Sequence, residues 1–390
     1  QKKSDVTGAM ARVGGKELKA MPVRNALEGM QGKTAGVDIT SSQRPGEVGN
    51  INIRGQRSIN AEQGPLYVVD GMVIQNGGIE NINPSDIEAI DILKDASATA
   101  IYGSRGANGV ILVTTKKGKE GKVTLNYSGT VTFETLHDVT EMMSAAEWLD
   151  YARLAKYNAG SYASATPTYE ADKAAFGSVT ASWKNIEKAW VNGVYDPSLV
   201  GSYDWASHGK QTGITHEHTL SASGGSDKFQ GYASFGYLDQ KGTQPGQAYE
   251  RYTLKTSFDV TPVNWFKMGS SINASYSTQD YGYSFSKSVT GSGDFYSALR
   301  SMIPWTVPYD ENGEYVRYPS GDVNIINPIR ELDYNTNQRR TFRASASLYS
   351  QIDFGKIWKP LEGLSYRLQF GPEFQFYTLG VANAADGING

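Results

Sequence analysis

The feature that most constrains this chain is a two-residue alternation of apolar and polar side chains, repeated in runs as long as a membrane-crossing β-strand. A transmembrane strand needs roughly 9–11 residues. In Arg251-Tyr252-Thr253-Leu254-Lys255, for example, the apolar side chains would share one face and the polar side chains the other. The pattern predicts about seven strands, near residues 122–135, 214–224, 228–240, 249–260, 263–279, 338–355 and 362–378. A soluble sandwich also buries one face, so alternation alone does not decide between the two classes.

The lengths of the connections favour the membrane class. The short joints lie at 224–227, 261–262 and 355–363, and the longer connections lie at 136–213, 241–248 and 280–337. Short turns on one side and long loops on the other are typical of outer-membrane barrels. If the first strand runs outward, every long connection falls on the outer side. Residues 121–390 are therefore predicted to form part of an antiparallel membrane β-barrel.

About seven strands cannot close such a barrel. Large outer-membrane barrels have about 22 strands, and an open edge in lipid would leave backbone groups without hydrogen bonds. We therefore expect the remaining strands in a longer protein, with the barrel truncated in this chain.

Composition excludes several other classes. The formal net charge is -3, which gives no reason to expect a nucleic-acid partner. The chain has no cysteine, so thiolate chemistry and Cys-ligated metal sites are excluded. The sequence shows no apolar run long enough for a membrane-spanning helix, and no catalytic residue, metal site or cofactor is predicted.

Residues 1–120 differ from the rest and predict a small α/β domain. A short helix is predicted at 22–31, and strands at 37–40, 50–54, 87–93 and 110–115. Asp70-Gly71 between two β-branched arms predicts a hairpin with a type I′ turn. Asp95 is a candidate cap for a helix over 96–101.

Within this domain several long strings resemble the plug of the SusC/RagA family of TonB-linked outer-membrane transporters. These strings are Ile53-Arg54-Gly55, LYVVDG at 66–71, and DIEAIDILKDASATAIYGSRGANGVILVTTKKG at 86–118. The resemblance implies an N-terminal plug at 1–120 inside the barrel begun by 121–390. It also implies import of oligosaccharides or peptides across the outer membrane of a Gram-negative, Bacteroidetes-like cell. The implied partners are TonB, whose coupling box is not among these residues, a SusD-like lipoprotein and outer-membrane lipid.

The plug contains two sets of candidate site residues. Gly- and Asn-rich bends are candidates to face the substrate, although they can equally be structural: Gln56, Arg57, Ser58, Asn60, Gln75 and Asn76. Arg54 and Arg105 lie in Gly-flanked segments, and the wider receptor family implies that such arginines latch the plug to glutamates of the barrel wall. Ordinary ion pairs within the plug are an equally good interpretation.

Other motifs favour structural roles. His216-x-His218 is interpreted as a polar strand rim, Gly103-x-x-Gly106-x-x-Gly109 as tight plug turns, and 310–314 as an outer turn rather than a calcium loop. The first long loop is rich in Trp and Tyr. Residues 144–157 predict an amphipathic helix capped by Ser144 with Glu147 at the box position, and Trp183 and Trp190 suggest a second helix.

Two rival functions stay open at this point. One is a surface scaffold or adhesin on the same barrel without transport. The other is a soluble two-domain β-rich binding protein.

Overall fold

The computed structural model describes residues 10–18, 23–55, 64–75, 77–137, 140–283 and 295–387. Across these ranges, the model contains no helix with both the length and the apolar character needed to cross a membrane.

The N-terminal part of the described chain alternates short strands and short helices, and we call residues 10–118 the plug. Its elements are β1 (Met10–Gly14), α1 (Gly15–Leu18), α2 (Ala26–Met30), β2 (Val37–Ile39), β3 (Ile51–Ile53), β4 (Leu66–Val69), β5 (Met72–Val73), β6 (Ile87–Leu93), α3 (Ala96–Thr99) and β7 (Val110–Thr115). Strands β6 and β7 have the predicted bounds. Helix α2 is shorter than predicted because Asn25 caps it by accepting a hydrogen bond from the Glu28 amide.

A mixed sheet in the order β1-β6-β7-β4-β5 organises the plug. Strands β4 and β7 are parallel, and the other neighbours are antiparallel. The core against this sheet is aliphatic, and its fully buried members include Leu18, Ile79, Ile87, Ile90 and Ile92. Burying each such side chain contributes about 1.5–3 kcal/mol, which allows the small domain to hold a defined shape.

The predicted hairpin is present at the end of β4. Asp70 has φ 49° and Gly71 has φ 84°, the left-handed pair that a type I′ turn requires. The two-residue turn carries the Asp70 side chain beyond the plug sheet, toward the second sheet of the molecule.

The second sheet, which we call the barrel sheet, is antiparallel throughout. Its strands are β8 (Gly121–Glu134), β11 (Gly213–Gly225), β12 (Phe229–Lys241), β13 (Gln247–Val263), β14 (Phe266–Tyr281), β15 (Asn335–Asp353), β16 (Ser365–Phe370) and β17 (Glu373–Asn383). In the described ranges the order is β8-β11-β12-β13-β14-β15-β16, and β17 also pairs with β15. The sheet is not closed, which agrees with the expected truncated barrel.

The two faces of the barrel sheet differ as the alternation predicted. The outward face carries exposed large apolar side chains that lie side by side across strands, for example Tyr127, Leu220, Phe235 and Leu254. The opposite face contacts the plug and is rich in buried hydroxyl and charged groups, for example Thr219, Ser234, Lys255, Ser271 and Ser275.

Two strand boundaries differ from the predictions. The turn between β13 and β14 lies at residues 264–265, and Pro262 instead lies in a register shift between Val260 and Val263. The last predicted strand is divided into β16 and β17 at Gly371-Pro372, because proline has no N–H for the ladder. An added Cβ at Gly371 would lie 2.0 Å from Met72 Cε, so the plug hairpin occupies this break.

The two longest connections fold together at one end of the barrel sheet. Their elements are α4 (Ala145–Asn158), α5 (Tyr169–Phe176), α6 (Thr180–Glu187), β9 (Trp190–Val191), β10 (Val194–Tyr195), α7 (Phe295–Arg300) and α8 (Pro328–Tyr334). Helix α4 has the predicted Ser144–Glu147 capping box. The prediction that Trp190 shares a helix with Trp183 is wrong, because α6 ends at Glu187. Trp190 begins β9, which pairs with β10 in a short hairpin.

Candidate functional site

The candidate functional site is the interface between the plug and the barrel sheet. The plug residues at this interface belong mostly to its turns and loops, and the sheet residues all come from one face of the strands. Four groups of contacts are described below, and almost all of them are polar. A buried polar group is stable only when it is hydrogen-bonded, so these contacts determine how the plug is seated.

The first group is centred on Asp70 at the tip of the plug hairpin. Its carboxylate accepts hydrogen bonds from the Thr115 amide at 2.9 Å and from Ser271 Oγ of β14 at 2.6 Å. Lys255 Nζ of β13 lies 3.8 Å from the carboxylate, and both side chains are almost fully buried, with 2% of Lys255 and 4% of Asp70 exposed. Lys255 also donates to Thr115 Oγ1 at 2.5 Å. One plug acid and one sheet base thus share a buried, hydrogen-bonded pocket.

The electrostatics of this pocket favour the ionised carboxylate. Burial by itself raises the pKa of Asp70. The Lys255 ammonium and the hydrogen bonds from Ser271 and Thr115 outweigh burial, so the pKa of Asp70 lies below its ordinary value. The backbone carbonyl of Asp70 is also held, by Gln369 Nε2 at 3.2 Å and by Ser347 Oγ at 3.3 Å.

The second group is centred on Glu80. Its carboxylate forms an ion pair with Arg343 of β15 at 2.8 Å. Its backbone carbonyl accepts a hydrogen bond from Arg251 of β13 at 2.8 Å. Strands β13 and β15, which flank β14 in the sheet, therefore hold one plug residue through guanidinium groups, which suit directional contacts with oxygen.

The third group lies at the start of β6. Asp86 accepts hydrogen bonds from Tyr232 at 2.7 Å and from Ser234 at 2.6 Å, both on β12. Asn83 donates to Thr219 of β11 at 2.9 Å. All of these side chains are buried.

The fourth group lies toward the strand ends that adjoin the two longest connections. Arg24 is 3.5 Å from Glu134 of β8. Gln279 of β14 donates to the Pro45 carbonyl at 2.8 Å. Gly46 packs so closely on Tyr249 that an added Cβ would lie 2.2 Å from the ring. Here the plug and the sheet also border a cavity.

Comparisons with known proteins agree with this arrangement. Residues 2–110 match the family model of the TonB-dependent receptor plug domain. TonB-dependent receptor P39 of Formosa agariphila is 33% identical over 95% of this chain and 32% of its own length. TonB-dependent receptor SusC of Bacteroides thetaiotaomicron is 28% identical over 97% of this chain and 35% of its own length. The solved RagAB peptide importer in its open-open state superposes with a TM-score of 0.76 and 27% identity, over 98% of this chain and 42% of that chain.

The chain belongs with the SusC/RagA-like TonB-dependent receptors. Both the plug and the adjoining sheet take part in the match, since the similarity covers nearly the whole chain. The chain spans about a third of the length of the curated relatives that it matches.

The predicted latch arginines of this SusC/RagA-like chain contact other plug residues. Arg54, at φ 61°, forms an ion pair with Asp95. That contact also explains why Asp95 makes no side-chain cap on α3. Arg105 donates to the Gln75 side chain at 3.1 Å. Pairing of either arginine with a barrel glutamate stays a prediction.

The predicted substrate-facing residues are only partly described. Gln56, Arg57, Ser58, Asn60 and Asn76 lie outside the described residues. Gln75 is described, and its backbone N–H donates to Glu373 of β17 at 2.9 Å. Gln75 therefore adds a contact between the plug and the sheet, and its role toward substrate stays a prediction.

The remaining motifs of this SusC/RagA-like chain have structural contacts. His218 lies 2.8 Å from the Tyr127 hydroxyl on the neighbouring strand, as expected for a strand rim. The Asp310 side chain accepts hydrogen bonds from the Asn312 and Glu314 amides within its own turn. Among the described residues no group of three or more His, Cys, Asp or Glu side chains forms a metal-binding cluster.

The acids that hold the plug were not predicted as a group. Asp70 was interpreted only as part of a hairpin turn, and Glu80 and Asp86 were not singled out. A usable signal was present on the sheet side: Lys255 and Arg343 interrupt hydroxyl-rich positions on the face opposite to the apolar one. A charge on the inner face of a barrel strand needs a partner, and the plug supplies it.

Proposed function

We propose that this chain provides the plug and the adjoining barrel wall of a TonB-dependent importer of oligosaccharides or peptides in the outer membrane. A SusD-like lipoprotein would cover the outer mouth, and the outer-loop helices would lie on that side. The relatives support this proposal, since one is described as a peptide importer and the others as TonB-dependent receptors.

The observation that carries the proposal is the chemistry of the interface between the plug and the barrel sheet. The plug contacts the sheet through ion pairs and hydrogen bonds, centred on Asp70, Glu80 and Asp86. Polar groups of this kind can exchange their partners for water when the surfaces separate, whereas a large apolar interface would lose its burial energy without replacement. The interface therefore suits a plug that is seated firmly and is displaced when force is applied.

The outward face of the sheet supports the location. Its continuous exposed rows of Phe, Leu, Tyr and Val side chains would be a large apolar patch in water. The same rows are the band that a barrel presents to lipid.

The test is depletion of nutrients from a defined medium. Cells with and without the full-length gene are given a mixture of peptides and neutral and acidic oligosaccharides, and mass spectrometry follows which compounds disappear. Each culture is repeated with a protonophore, which removes the energy that TonB transmits. We expect a set of peptides or oligosaccharides to be depleted only by energised cells that carry the gene.

The rival function predicts a different result. A surface scaffold or adhesin would leave the medium of both strains identical, while the strain with the gene would differ in attachment to surfaces. That outcome would refute the import proposal.

A further inference from the structure

A cavity of about 300 Å³ lies between the plug and the outer half of the barrel sheet. Its sheet wall is formed by neighbouring residues of β13, β14 and β15, with Leu238 and Gln240 of β12 beside them. Tyr249, Gln279 and Arg339 lie side by side in one row, and Arg251, Ser277 and Thr341 in the next. Its plug wall includes Arg44, Gly46 and Glu80. The size is near the lower end of the roughly 300–1,000 Å³ that is usual for small-ligand sites.

The lining of this cavity is unusually rich in guanidinium groups. Five arginines and three glutamates line it. Glu28 pairs with Arg24 at 3.0 Å, and Glu80 pairs with Arg343 at 2.8 Å. Two of the three carboxylates are therefore paired with arginines, and the third, that of Glu47, accepts a hydrogen bond from Ser42 Oγ at 2.8 Å.

The other three arginines have no carboxylate partner among the residues that the structure describes. Arg44 lies 6.0 Å from the centre of the Tyr281 ring, and Arg339 lies 4.8 Å from that of Tyr377. Arg251 is only 2% exposed. Its single described hydrogen bond goes to the Glu80 carbonyl, and its Nε has no partner. The Nε of Arg339 is likewise buried without a partner.

Such a cavity is prepared for an anion. Arginine keeps its charge at all physiological pH values, so the positive charge cannot be relieved by losing a proton. Buried donors without partners are costly, and a ligand that satisfies them removes that cost. A planar carboxylate matches the fork of a guanidinium group with two parallel hydrogen bonds.

We infer that this cavity binds a carboxylate group of the substrate, with Arg44, Arg251 and Arg339 as the binding residues. The inference rests on the proposed import function, and it narrows the substrates to anionic ones. A carboxylate can come from a uronic acid in an oligosaccharide or from the C-terminus of a peptide. The cavity volume admits about one sugar unit or a short peptide end.

The test is calorimetric titration of the purified full-length receptor in mild detergent. The probes are trigalacturonate with neutral galactotriose as its match, and tetra-alanine with its C-terminal amide as its match. We expect at least one carboxylate probe to bind, with its neutral match about ten-fold weaker or more. The probe that binds identifies the source of the carboxylate.

The variants Arg44→Gln and Arg339→Gln separate this cavity from general attraction. Both side chains are only half-buried, so folding should be retained. Each should weaken the carboxylate probe by about ten-fold and leave its neutral match unchanged. Arg317→Gln removes the same charge in an outer loop, where Arg317 lies over Tyr318, and should leave both affinities unchanged.

Three results would overturn the inference: no binding by either carboxylate probe, equal binding of a probe and its neutral match, or full affinity in both cavity variants. These results are distinguishable from failure of the import proposal. If energised cells deplete neutral compounds and the receptor binds no carboxylate probe, the carboxylate site is refuted and the import proposal stands. Carboxylate binding without energy-dependent depletion would refute import and leave the cavity in place.

Discussion

The exchange Asp70→Asn should loosen the seating of the plug together with the ends of β4 and β7, which Asp70 joins by accepting a hydrogen bond from the Thr115 amide. Asparagine has nearly the same shape as aspartate and also tolerates the left-handed conformation of this turn, where φ is 49°. The change removes one negative charge from a pocket in which Lys255 is 2% exposed. It leaves the Lys255 ammonium buried 3.8 Å from a neutral amide.

The expected cost follows from the buried charge that is left behind. Breaking a buried ion pair on one side destabilises by about 3–5 kcal/mol. Deprotonation of Lys255 sets an upper bound on this cost, because a neutral lysine needs no ionic partner. From an ordinary pKa of about 10.4 to pH 7, this deprotonation costs about 5 kcal/mol. Since 1.4 kcal/mol is about a ten-fold change in population, plug opening should become about two to four orders of magnitude more frequent.

Hydrogen exchange in the full-length receptor measures this opening directly. Protection of the β4 and β7 amides should fall by about two to four orders of magnitude in Asp70→Asn. The double variant Asp70→Asn with Lys255→Met should recover most of the loss, because it removes both charges. Asp38→Asn, at an exposed plug position, should change protection less than about two-fold. A loss below ten-fold in the single variant, or no recovery in the double variant, would refute the electrostatic reasoning.

Three further predictions concern pH, packing and the outer loops. Folding lowers the pKa of Asp70, so the contribution of Asp70 to stability is complete above the ordinary aspartate pKa of about 3.9 and is lost as pH falls through the lower folded value. Protection of the β4 amides should therefore be constant from pH 7 to 5 and fall below pH 4. Asp70→Asn should not show this fall in acid. Gly118→Ala should destabilise the receptor by about 1–3 kcal/mol in urea titration, since its Cβ would lie 2.3 Å from the Gly231 backbone nitrogen, whereas Gly64→Ala, with open space around it, should be neutral. Asp172→Asn should destabilise the helices of the long connections by about 1–3 kcal/mol, as measured by exchange in α4 and α5, because Asp172 is fully buried against Arg153 while Arg153 keeps a second carboxylate partner in Asp150.

Much of the plug could be predicted from sequence because its signals are local. The Asp70-Gly71 turn and strands β6 and β7 follow from turn chemistry and from short β-branched runs. The alternation of the barrel strands is equally local, so the seven positions across the described sheet agree with the seven predicted strands once β16 and β17 are counted as one.

The contacts that seat the plug could not be predicted in the same way. Asp70 and Ser271 are 201 residues apart in sequence, and no local pattern pairs them. Family resemblance emphasises plug arginines and therefore pointed to Arg54 and Arg105. In the structure, acidic plug residues form ion pairs with basic sheet residues, and the plug residues of these pairs are Asp70 and Glu80. Which charges meet depends on how two sheets are placed in space, and sequence spacing carries little of that information.

We propose that the plug is displaced from the barrel sheet during import. These 390 residues contain no cysteine, so a disulfide between Asp86→Cys and Ser234→Cys, whose side chains are hydrogen-bonded at 2.6 Å, would tie the plug to β12 without competing thiols from this chain. Thr132→Cys with Thr215→Cys, paired in register on β8 and β11, gives a matched disulfide within the sheet.

The measurement is energy-dependent depletion of nutrients by cells that carry each cysteine pair, before and after reduction. We expect the plug-to-sheet disulfide to abolish depletion, reduction to restore it, and the disulfide within the sheet to have no effect. Full depletion with the plug still covalently tied to the sheet would show that import does not require displacement of the plug.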